Sequence, residues 1–243
     1  MIYVVGTGPG NEQYMTQEAL EAIEKCDIIV GYKTYIKLIK HLLVDKKIVE
    51  NGMRQEKERC LEALELSSQG KKVALISGGD SGIYGMAGLI LELNSKREVA
   101  EEVKIVQGVS SSISAASVLG APLMHDFCQI SLSDLMTPWS IIEKRIKLAS
   151  DADFVICIYN PRSKGRSEHL KMAFEIMSQY KSLDTPVGIV KNAGRDNQEI
   201  YISNIRDMDY EICDMSTMVI VGNKKSYIDN GKIITPRGYN IWY

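Results

Sequence analysis

Short apolar runs alternate with amphipathic stretches through the first half of the chain. The amphipathic stretches carry apolar residues at helical spacing, with charged residues between them, which predicts helices. Strands that alternate with helices pair mainly in parallel, so this half predicts a parallel sheet covered by helices. The predicted strands are 2–5, 27–30, 73–76 and 103–106, and the predicted helices are 16–25, 33–43, 54–68, 85–93 and one that begins within GVSSSISAA at 108–116.

Capping residues mark the ends of two of these helices. Thr16 can accept a hydrogen bond from a first-turn amide, and Glu18 places negative charge at the same helix end. Gly70 lies just beyond the helix predicted at 54–68, where a left-handed residue commonly ends a helix. These signals place the helix boundaries.

The alternation pauses at GAPLMHDF, residues 120–127, and we predict the domain boundary there. The second half has its own apolar runs and helical stretches, and two α/β domains, 1–120 and 121–243, are expected with a cleft between them. A strand at 198–202 and the tail are expected to pair antiparallel. The other predicted strands are 129–132, 154–158, 187–190 and 218–221, and the predicted helices are 139–149 and 167–179.

Composition narrows the class of protein. The chain has 243 residues, 45% of them hydrophobic, and a formal net charge of −2, which is typical of a soluble globular protein and argues against a general nucleic-acid binder. Its apolar runs are shorter than the ~18 residues of a membrane span, and its start lacks a basic leader, so a cytoplasmic protein is expected. No metal is expected, because the three histidines are scattered. Five cysteines without a CxxC motif predict buried thiols: Cys26, Cys60, Cys128, Cys157 and Cys213.

Two glycine-rich loops follow predicted strands. In GGDSGIYG (78–85) the glycines permit a close backbone approach, and Asp80 stands at the carboxyl end of a strand, where α/β sheets bind ligands. An ordinary strand-to-helix turn with a helix cap is the alternative. GTGPG (6–10) departs from the dinucleotide fingerprint, since Asn11 takes the place of its last glycine and Pro9 removes an amide. A pyrophosphate site is therefore disfavoured.

These loops and five later segments stand in the order found in the cobalamin-pathway tetrapyrrole (precorrin) methylases, which use S-adenosylmethionine (SAM), and the chain resembles that family over nearly its whole length. The later segments are QGVSSSISAASVLGAP (107–122), SLSDLMTPW (131–139), YNPRSKGR (159–166), GIVKNAGR (188–195) and MVIVGN (218–223). SLSDLMTPW, YNPRSKGR and KNAGR are most similar to the family members that methylate carbon 17. The resemblance implies the tetrapyrrole methylase fold, with SAM folded into the interdomain cleft and not in a Rossmann-type pose.

The resemblance also implies roles for individual residues. Asp80 and the neighbouring backbone would hold the methionine part of SAM, and the Asn192–Ala193 region would line the adenine. For Tyr159 and Asn192 structural packing is an equal alternative. The cofactor-binding residues that the resemblance implies are Pro9, Gly79, Asp80, Ile83, Tyr84, Ser110, Ser111, Tyr159, Gly188, Asn192 and Ala193.

Clustered basic residues predict where an acidic substrate binds. A tetrapyrrole carries several carboxylates, and a nearly neutral protein must gather positive charge locally to bind them. Arginine suits this role because its planar fork pairs with a carboxylate through two hydrogen bonds. A solvated surface cluster is the alternative. The predicted substrate-binding residues are Arg162, Lys164 and Arg166 in one loop, and Lys191 and Arg195 in another.

The resemblance implies methylation of carbon 17 together with contraction of the macrocycle. SAM already carries an activated methyl group, so positioning is the main task of the protein. Contraction needs proton transfers, for which Asp80 and His125 are candidates; His125 is alternatively a structural histidine. A composition rich in Lys, Ile, Asn and Tyr is typical of an AT-rich genome and suggests an anaerobic source. The oxygen-independent branch of the pathway uses the cobalt-containing substrate, so this composition favours it over metal-free precorrin-3B. The resemblance implies a homodimer.

Three other functions remain open on sequence grounds. The chain could methylate carbon 11 or carbon 20 of the same class of macrocycle. It could be a non-catalytic protein that binds SAM or a tetrapyrrole. A nucleotide-binding oxidoreductase is disfavoured by the departure of GTGPG from the dinucleotide fingerprint.

Overall fold

The computed structural model describes residues 1–239, and a five-stranded parallel sheet organises their first part. The strand order is β3-β2-β4-β1-β5, and every neighbouring pair is parallel, which confirms the predicted parallel sheet. Strand β3 was not predicted, because its sequence KIVEN has only two apolar residues, flanked by charged and polar ones, and is at most half buried. The strands are β1 (Ile2–Gly6), β2 (Ile28–Tyr32), β3 (Lys47–Asn51), β4 (Val73–Ser77) and β5 (Val103–Val106).

Helices cover both faces of this sheet. Because successive side chains of a strand point to opposite faces, Val4 packs on one face against α3 and α4, and Val5 packs on the other against α1 and α2. Thr16 caps α1 by accepting a hydrogen bond from the Ala19 amide at 3.1 Å, and Gly70 beyond α3 has a φ of +80°, both as predicted. The helices are α1 (Gln17–Glu24), α2 (Lys33–Leu38), α3 (Glu56–Ser68) and α4 (Ala87–Asn94), with 3-10 turns at Glu12–Tyr14 and Lys40–Leu42.

The second part of the chain forms a mixed sheet between helices. Its strand order is β10-β9-β11-β8-β7, in which β7 and β8 are parallel while β11 runs antiparallel to both of its neighbours. The predicted strand at 198–202 is β10, and it pairs antiparallel with β9 as expected. The elements are α5 (Ser111–Leu119), β7 (Phe127–Ser131), α6 (Trp139–Asp151), β8 (Val155–Tyr159), α7 (His169–Met177), β9 (Pro186–Lys191), β10 (Glu199–Asn204) and β11 (Thr217–Val221).

A small sheet completes this part of the molecule. Strands β12 (Tyr227–Asp229) and β13 (Lys232–Ile234) form an antiparallel hairpin, in agreement with the expected tail strand. β13 also pairs in parallel with β6 (Gly120–Ala121), directly after α5. Ile233 thereby packs into the same buried cluster as Leu119 of α5.

The chain divides into two compact units, Met1–Ser111 and the residues from Ser112 onwards. This division assigns nearly all of α5 to the second unit, whereas the sequence places the boundary after that helix, at residue 120. Within the described residues, no helix is long and apolar enough to cross a membrane. All five cysteines are free thiols, and burial raises the pKa of Cys26, Cys60, Cys157 and Cys213 to about 12.

Candidate functional site

Three loops interlock at the carboxyl ends of β1, β4 and β5, and we call this feature the three-loop junction (residues 6–9, 78–80 and 107–110). Gly8 and Gly79 form an isolated antiparallel bridge, with hydrogen bonds of 3.1 Å to the Gly79 carbonyl and 2.7 Å to the Gly8 carbonyl. The Thr7 amide donates to the Ser77 carbonyl at 2.9 Å. The carboxyl edge of a parallel α/β sheet is where ligands bind, so this junction is a candidate site.

Glycine is required at the junction because the backbones touch. A Cβ atom on Gly108 would lie 2.2 Å from the Gly79 carbonyl oxygen, and one on Gly6 would lie 2.7 Å from the Gly108 nitrogen. Gly79 also has a φ of +67°, a left-handed conformation that side chains disfavour. The predicted glycine loops are therefore structural necessities that bring peptide groups together at the ligand-binding edge.

Asp80 holds two of these loops in place. Its Oδ1 accepts a hydrogen bond from the Gly82 amide at 2.8 Å, and its Oδ2 accepts one from the Gly108 amide at 3.0 Å. The carboxylate thus ties the loop after β4 to the loop after β5. Each carboxylate oxygen has a further lone pair for a ligand, so a cofactor contact remains compatible with this role.

The other predicted cofactor residues of the first unit lie around the same junction. Pro9 is buried directly after Gly8, and the Ser110 Cα lies 3.9 Å from the Cβ position of Gly79. Tyr84 is 57% exposed and has a φ of +53°, which is uncommon for an aromatic residue. Residues in such uncommon backbone conformations occur most often at ligand-binding sites. The remaining two residues are Ile83, whose amide donates to the Asp80 carbonyl at 3.3 Å, and Ser111, which begins α5.

A second set of predicted residues lies at one edge of the mixed sheet. The strand registers pair Ser131 with Tyr159 and Lys191 with Thr217, so the carboxyl ends of β7, β8 and β9 meet there. The Tyr159 hydroxyl donates to the Ser112 Oγ at 3.0 Å. This edge brings together the SLSDLMTPW, YNPRSKGR and KNAGR segments, although they are far apart in the sequence.

Packing explains three further residues of this group. A Cβ atom on Gly188, inside β9, would lie 2.4 Å from a Leu119 methyl group, so glycine lets α5 pack against the sheet. Asn192 adopts a φ of +52° in the turn after β9, and Ala193 is buried. The fold therefore explains why these positions carry Gly, Asn and Ala. The contacts with adenine that the resemblance implies for them stay predictions.

The predicted substrate cations differ in how available they are. Lys164 is exposed at the tip of a tight turn that the Ser163 and Arg166 backbones close. Arg162 pairs with Glu211 at 2.7 Å, and Lys191 pairs with Asp214 at 2.9 Å, a hydrogen bond that raises the pKa of the lysine. Arg195, the fifth of these residues, is half-buried next to the Asn192 turn.

Arg166 is buried and has structural partners within the protein. Its side chain is only 9% exposed, and its Nη1 donates to the Leu132 carbonyl at 3.0 Å and to the Asn160 carbonyl at 3.1 Å. Its Nε lies 3.8 Å from a carboxylate oxygen of Asp134. A buried guanidinium with these partners fixes the loops after β7 and β8, and the predicted contact of Arg166 with the substrate stays a prediction.

The histidine that the structure brings to this edge is His169 and not His125. His125 precedes the amino end of β7 and is exposed, with its Nδ1 accepting from the neighbouring Asp126 amide. The length of β7 therefore separates it from Tyr159. The Nε2 of His169, at the start of α7, lies 3.0 Å from the Asp134 Oδ2. Sequence reasoning missed this pair because 35 residues separate its members.

Comparison with known proteins identifies the family to which this chain belongs. Residues 1–209 match the family of Tetrapyrrole (Corrin/Porphyrin) Methylases, and the chain belongs to that family. The solved structure of the methyltransferase CobJ superimposes with a TM-score of 0.92 at 34% identity, covering 97% of this chain and 99% of that one. The cobalt precorrin-4 methyltransferase CbiF, at 21% identity and a TM-score of 0.73, shares the fold.

Curated relatives are more specific. The chain is 56% identical to the probable cobalt-factor III C(17)-methyltransferase of Salmonella typhimurium, over 99% of this chain and 100% of that protein. It is 47% identical to the cobalt-factor III methyltransferase of Priestia megaterium, of which it spans 46%. A precorrin-3B C(17)-methyltransferase from Sinorhizobium is 38% identical over nearly full length. The family resemblance predicted from the loops is confirmed.

Proposed function

We propose that this chain is a SAM-dependent C-methyltransferase that acts at carbon 17 of a cobalamin precursor, with contraction of the macrocycle. The observation that carries the proposal is the 56% identity to the Salmonella protein over essentially both full lengths. Three relatives at 46–56% identity are named for cobalt-factor III, whereas a relative named for precorrin-3B is 38% identical. This gradient favours the cobalt-containing substrate.

The three-loop junction is the proposed site for the methionine part of SAM. Its glycines let the backbone approach a ligand closely, and the carbonyl and carboxylate oxygens of the junction have further lone pairs that can accept hydrogen bonds from the amino group of SAM. When bound, SAM supplies a sulfonium-activated methyl group, and the protein contributes position and orientation. Asp80 supports this by holding Gly82 and Gly108 in place. Gly188, Asn192 and Ala193 are proposed for the adenine and Tyr159 for a further contact with SAM, and the interdomain cleft stays a prediction.

Arg162, Lys164, Lys191 and Arg195 are the proposed contacts for substrate carboxylates. Arg162 and Lys191 already pair with Glu211 and Asp214, so a substrate carboxylate would replace an acidic side chain and not fill an empty position. Glu211 is 77% exposed and can swing away at little cost. Such an exchange favours ligands that present several carboxylates together, as a tetrapyrrole does.

The decisive experiment incubates the protein with cobalt-factor III and SAM carrying a ¹³C-labelled methyl group. We expect one methyl group to be added, at carbon 17 by NMR, and S-adenosylhomocysteine to form in equal amount. Labelling at carbon 11 or carbon 20 would identify another precorrin methylase. Binding of both ligands without product would identify a non-catalytic protein. Parallel incubation with metal-free precorrin-3B tests the preference for cobalt.

Assembly and location are further parts of the proposal. On the family resemblance we propose a homodimer in the cytoplasm. Light scattering of the purified protein measures the mass in solution, and a monomer at assay concentration would contradict the dimer. Fractionation of the source cells tests the location.

A further inference from the structure

The pair formed by Asp134 and His169 sits at the carboxyl edge of the mixed sheet and has no part in the function argued so far. Asp134 belongs to the loop after β7, and His169 begins α7 after the loop that follows β8. Their Oδ2 and Nε2 atoms are 3.0 Å apart. The side chains are 35% and 18% exposed, so the pair is partly shielded yet reachable by a ligand or water.

Packing fixes the orientation of the imidazole. The Trp139 ring meets the His169 ring edge-on, with centroids 4.6 Å apart. Among the described residues, Arg166 also faces Asp134: its Nε lies 3.8 Å from the second carboxylate oxygen, and its guanidinium is held by two backbone carbonyls. Three elements thus hold one carboxylate–imidazole pair, an arrangement that enzymes use to orient a proton-transferring histidine.

The protonation pattern of the pair follows from its hydrogen bonds. The bond from His169 lowers the pKa of Asp134, against the opposing effect of desolvation, so the carboxylate is ionised near neutral pH and accepts a hydrogen bond from Nε2–H. The neutral imidazole then carries its lone pair on Nδ1. Among the described residues Nδ1 has no hydrogen-bond partner.

We propose that His169, oriented by Asp134, exchanges a proton with the tetrapyrrole during contraction of the macrocycle, through its Nδ1. This inference rests on the proposed function. A bond from hydrogen to a substrate atom breaks, its electron pair stays on the macrocycle, and the proton forms the Nδ1–H bond while Asp134 compensates the imidazolium charge. The imidazolium returns the proton in a later step, so no oxidant, reductant or net proton is required.

The test compares His169→Gln with wild type in the cobalt-factor III assay between about pH 5 and 8, the range in which histidine changes charge. General acid–base catalysis typically contributes at least 100-fold, so kcat is expected to fall by about that factor. KM and the dissociation constant of SAM should stay within about threefold of wild type, because neither ligand is held by Nδ1 alone. The limb of the kcat–pH profile that belongs to His169 should disappear.

Two further variants separate proton transfer from a structural role. In His169→Ala, added imidazole should restore part of kcat, which a purely structural loss would not allow. In Asp134→Asn the imidazole stays but its charge is uncompensated, so kcat should fall less than in His169→Gln. His41→Gln is the matched control, because His41 also contacts a carboxylate, that of Glu12, at 2.9 Å in the first unit.

Distinct results would overturn the inference. A His169→Gln enzyme with wild-type kcat and pH profile would refute it. So would a loss that appears mainly in KM or in SAM affinity and that imidazole does not rescue, since His169 would then only position the loops. Absence of methylated product from the wild-type protein would instead refute the proposed function, and the proton-transfer role with it.

Discussion

The three-loop junction predicts that Gly108→Ala is severely destabilising. The new Cβ atom would lie 2.2 Å from the Gly79 carbonyl oxygen, and 2.7 Å from the backbone of Gly6, where ordinary contact begins at 3.4 Å. These obstacles are backbone atoms and cannot rotate away as a side chain would. The loops must therefore separate by more than 1 Å. This separation lengthens three hydrogen bonds past their normal range: the two between Gly8 and Gly79, and the one from the Gly108 amide to Asp80.

The size of the effect follows from those three bonds. The two backbone bonds between Gly8 and Gly79 contribute about 1 kcal/mol each, and the bond from Gly108 to the Asp80 carboxylate about 2 kcal/mol, when net values are used. The free energy of unfolding should therefore fall by roughly 4 kcal/mol, which is a large part of the stability of an ordinary domain. SAM affinity should fall as well, since the proposed site is the distorted junction.

Urea denaturation of Gly108→Ala and of Gly88→Ala measures the difference. Gly88 lies in α4 with no atom within 4 Å of its Cβ position, so alanine there should stabilise the protein by about 0.5–1 kcal/mol. Titration calorimetry with SAM should show weaker binding for Gly108→Ala only. If Gly108→Ala unfolds at the same urea concentration as wild type and binds SAM with wild-type affinity, then neither the stability nor the SAM site depends on the close approach of the three loops.

Three more predictions follow from single contacts. Asp80→Asn keeps one acceptor oxygen for two amides, so urea denaturation should show a loss of about 1–2 kcal/mol and calorimetry a weaker binding of SAM; two unchanged values would contradict the role of Asp80. Glu211→Ala releases Arg162, so the tetrapyrrole should bind several-fold more tightly while SAM binding stays constant, and an unchanged tetrapyrrole affinity would remove Arg162 from the substrate site. Burial raises the pKa of the Cys60 thiol to about 12, so its thiolate is scarce up to about pH 9, and native protein should react with dithiobis(nitrobenzoate) far more slowly than denatured protein; equal rates would show that the thiol is accessible.

Local sequence patterns predicted the elements of this fold better than their arrangement. The capping of α1 by Thr16 and the left-handed Gly70 were predictable because each depends on a few neighbouring residues. The position of β11 between β8 and β9 was not predictable, because a buried strand has the same apolar sequence pattern at any position within a sheet. Strand β3 was missed because its exposed positions carry Lys47 and Glu50.

The candidate site shows the same division. The glycine loops and Asp80 were found because glycine and an acidic residue after a strand are local signals. The burial of Arg166 and the pairing of Asp134 with His169 depend on which strands are neighbours, and charge clustering in the sequence does not carry that information. Arginines that look alike in one loop thus differ in exposure and partner.

The position of β11 sets the order in which the two units can form during synthesis. The strands of the first unit lie between Ile2 and Val106, so its sheet can close while later residues are still being made. The mixed sheet waits for Thr217–Val221, because without that strand β8 and β9 have no bond to each other. Contacts between segments so distant in sequence form slowly, and a nascent chain would expose the apolar sides of β8 and β9 in the meantime. In that interval β8 and β9 are most open to pairing with the wrong strands.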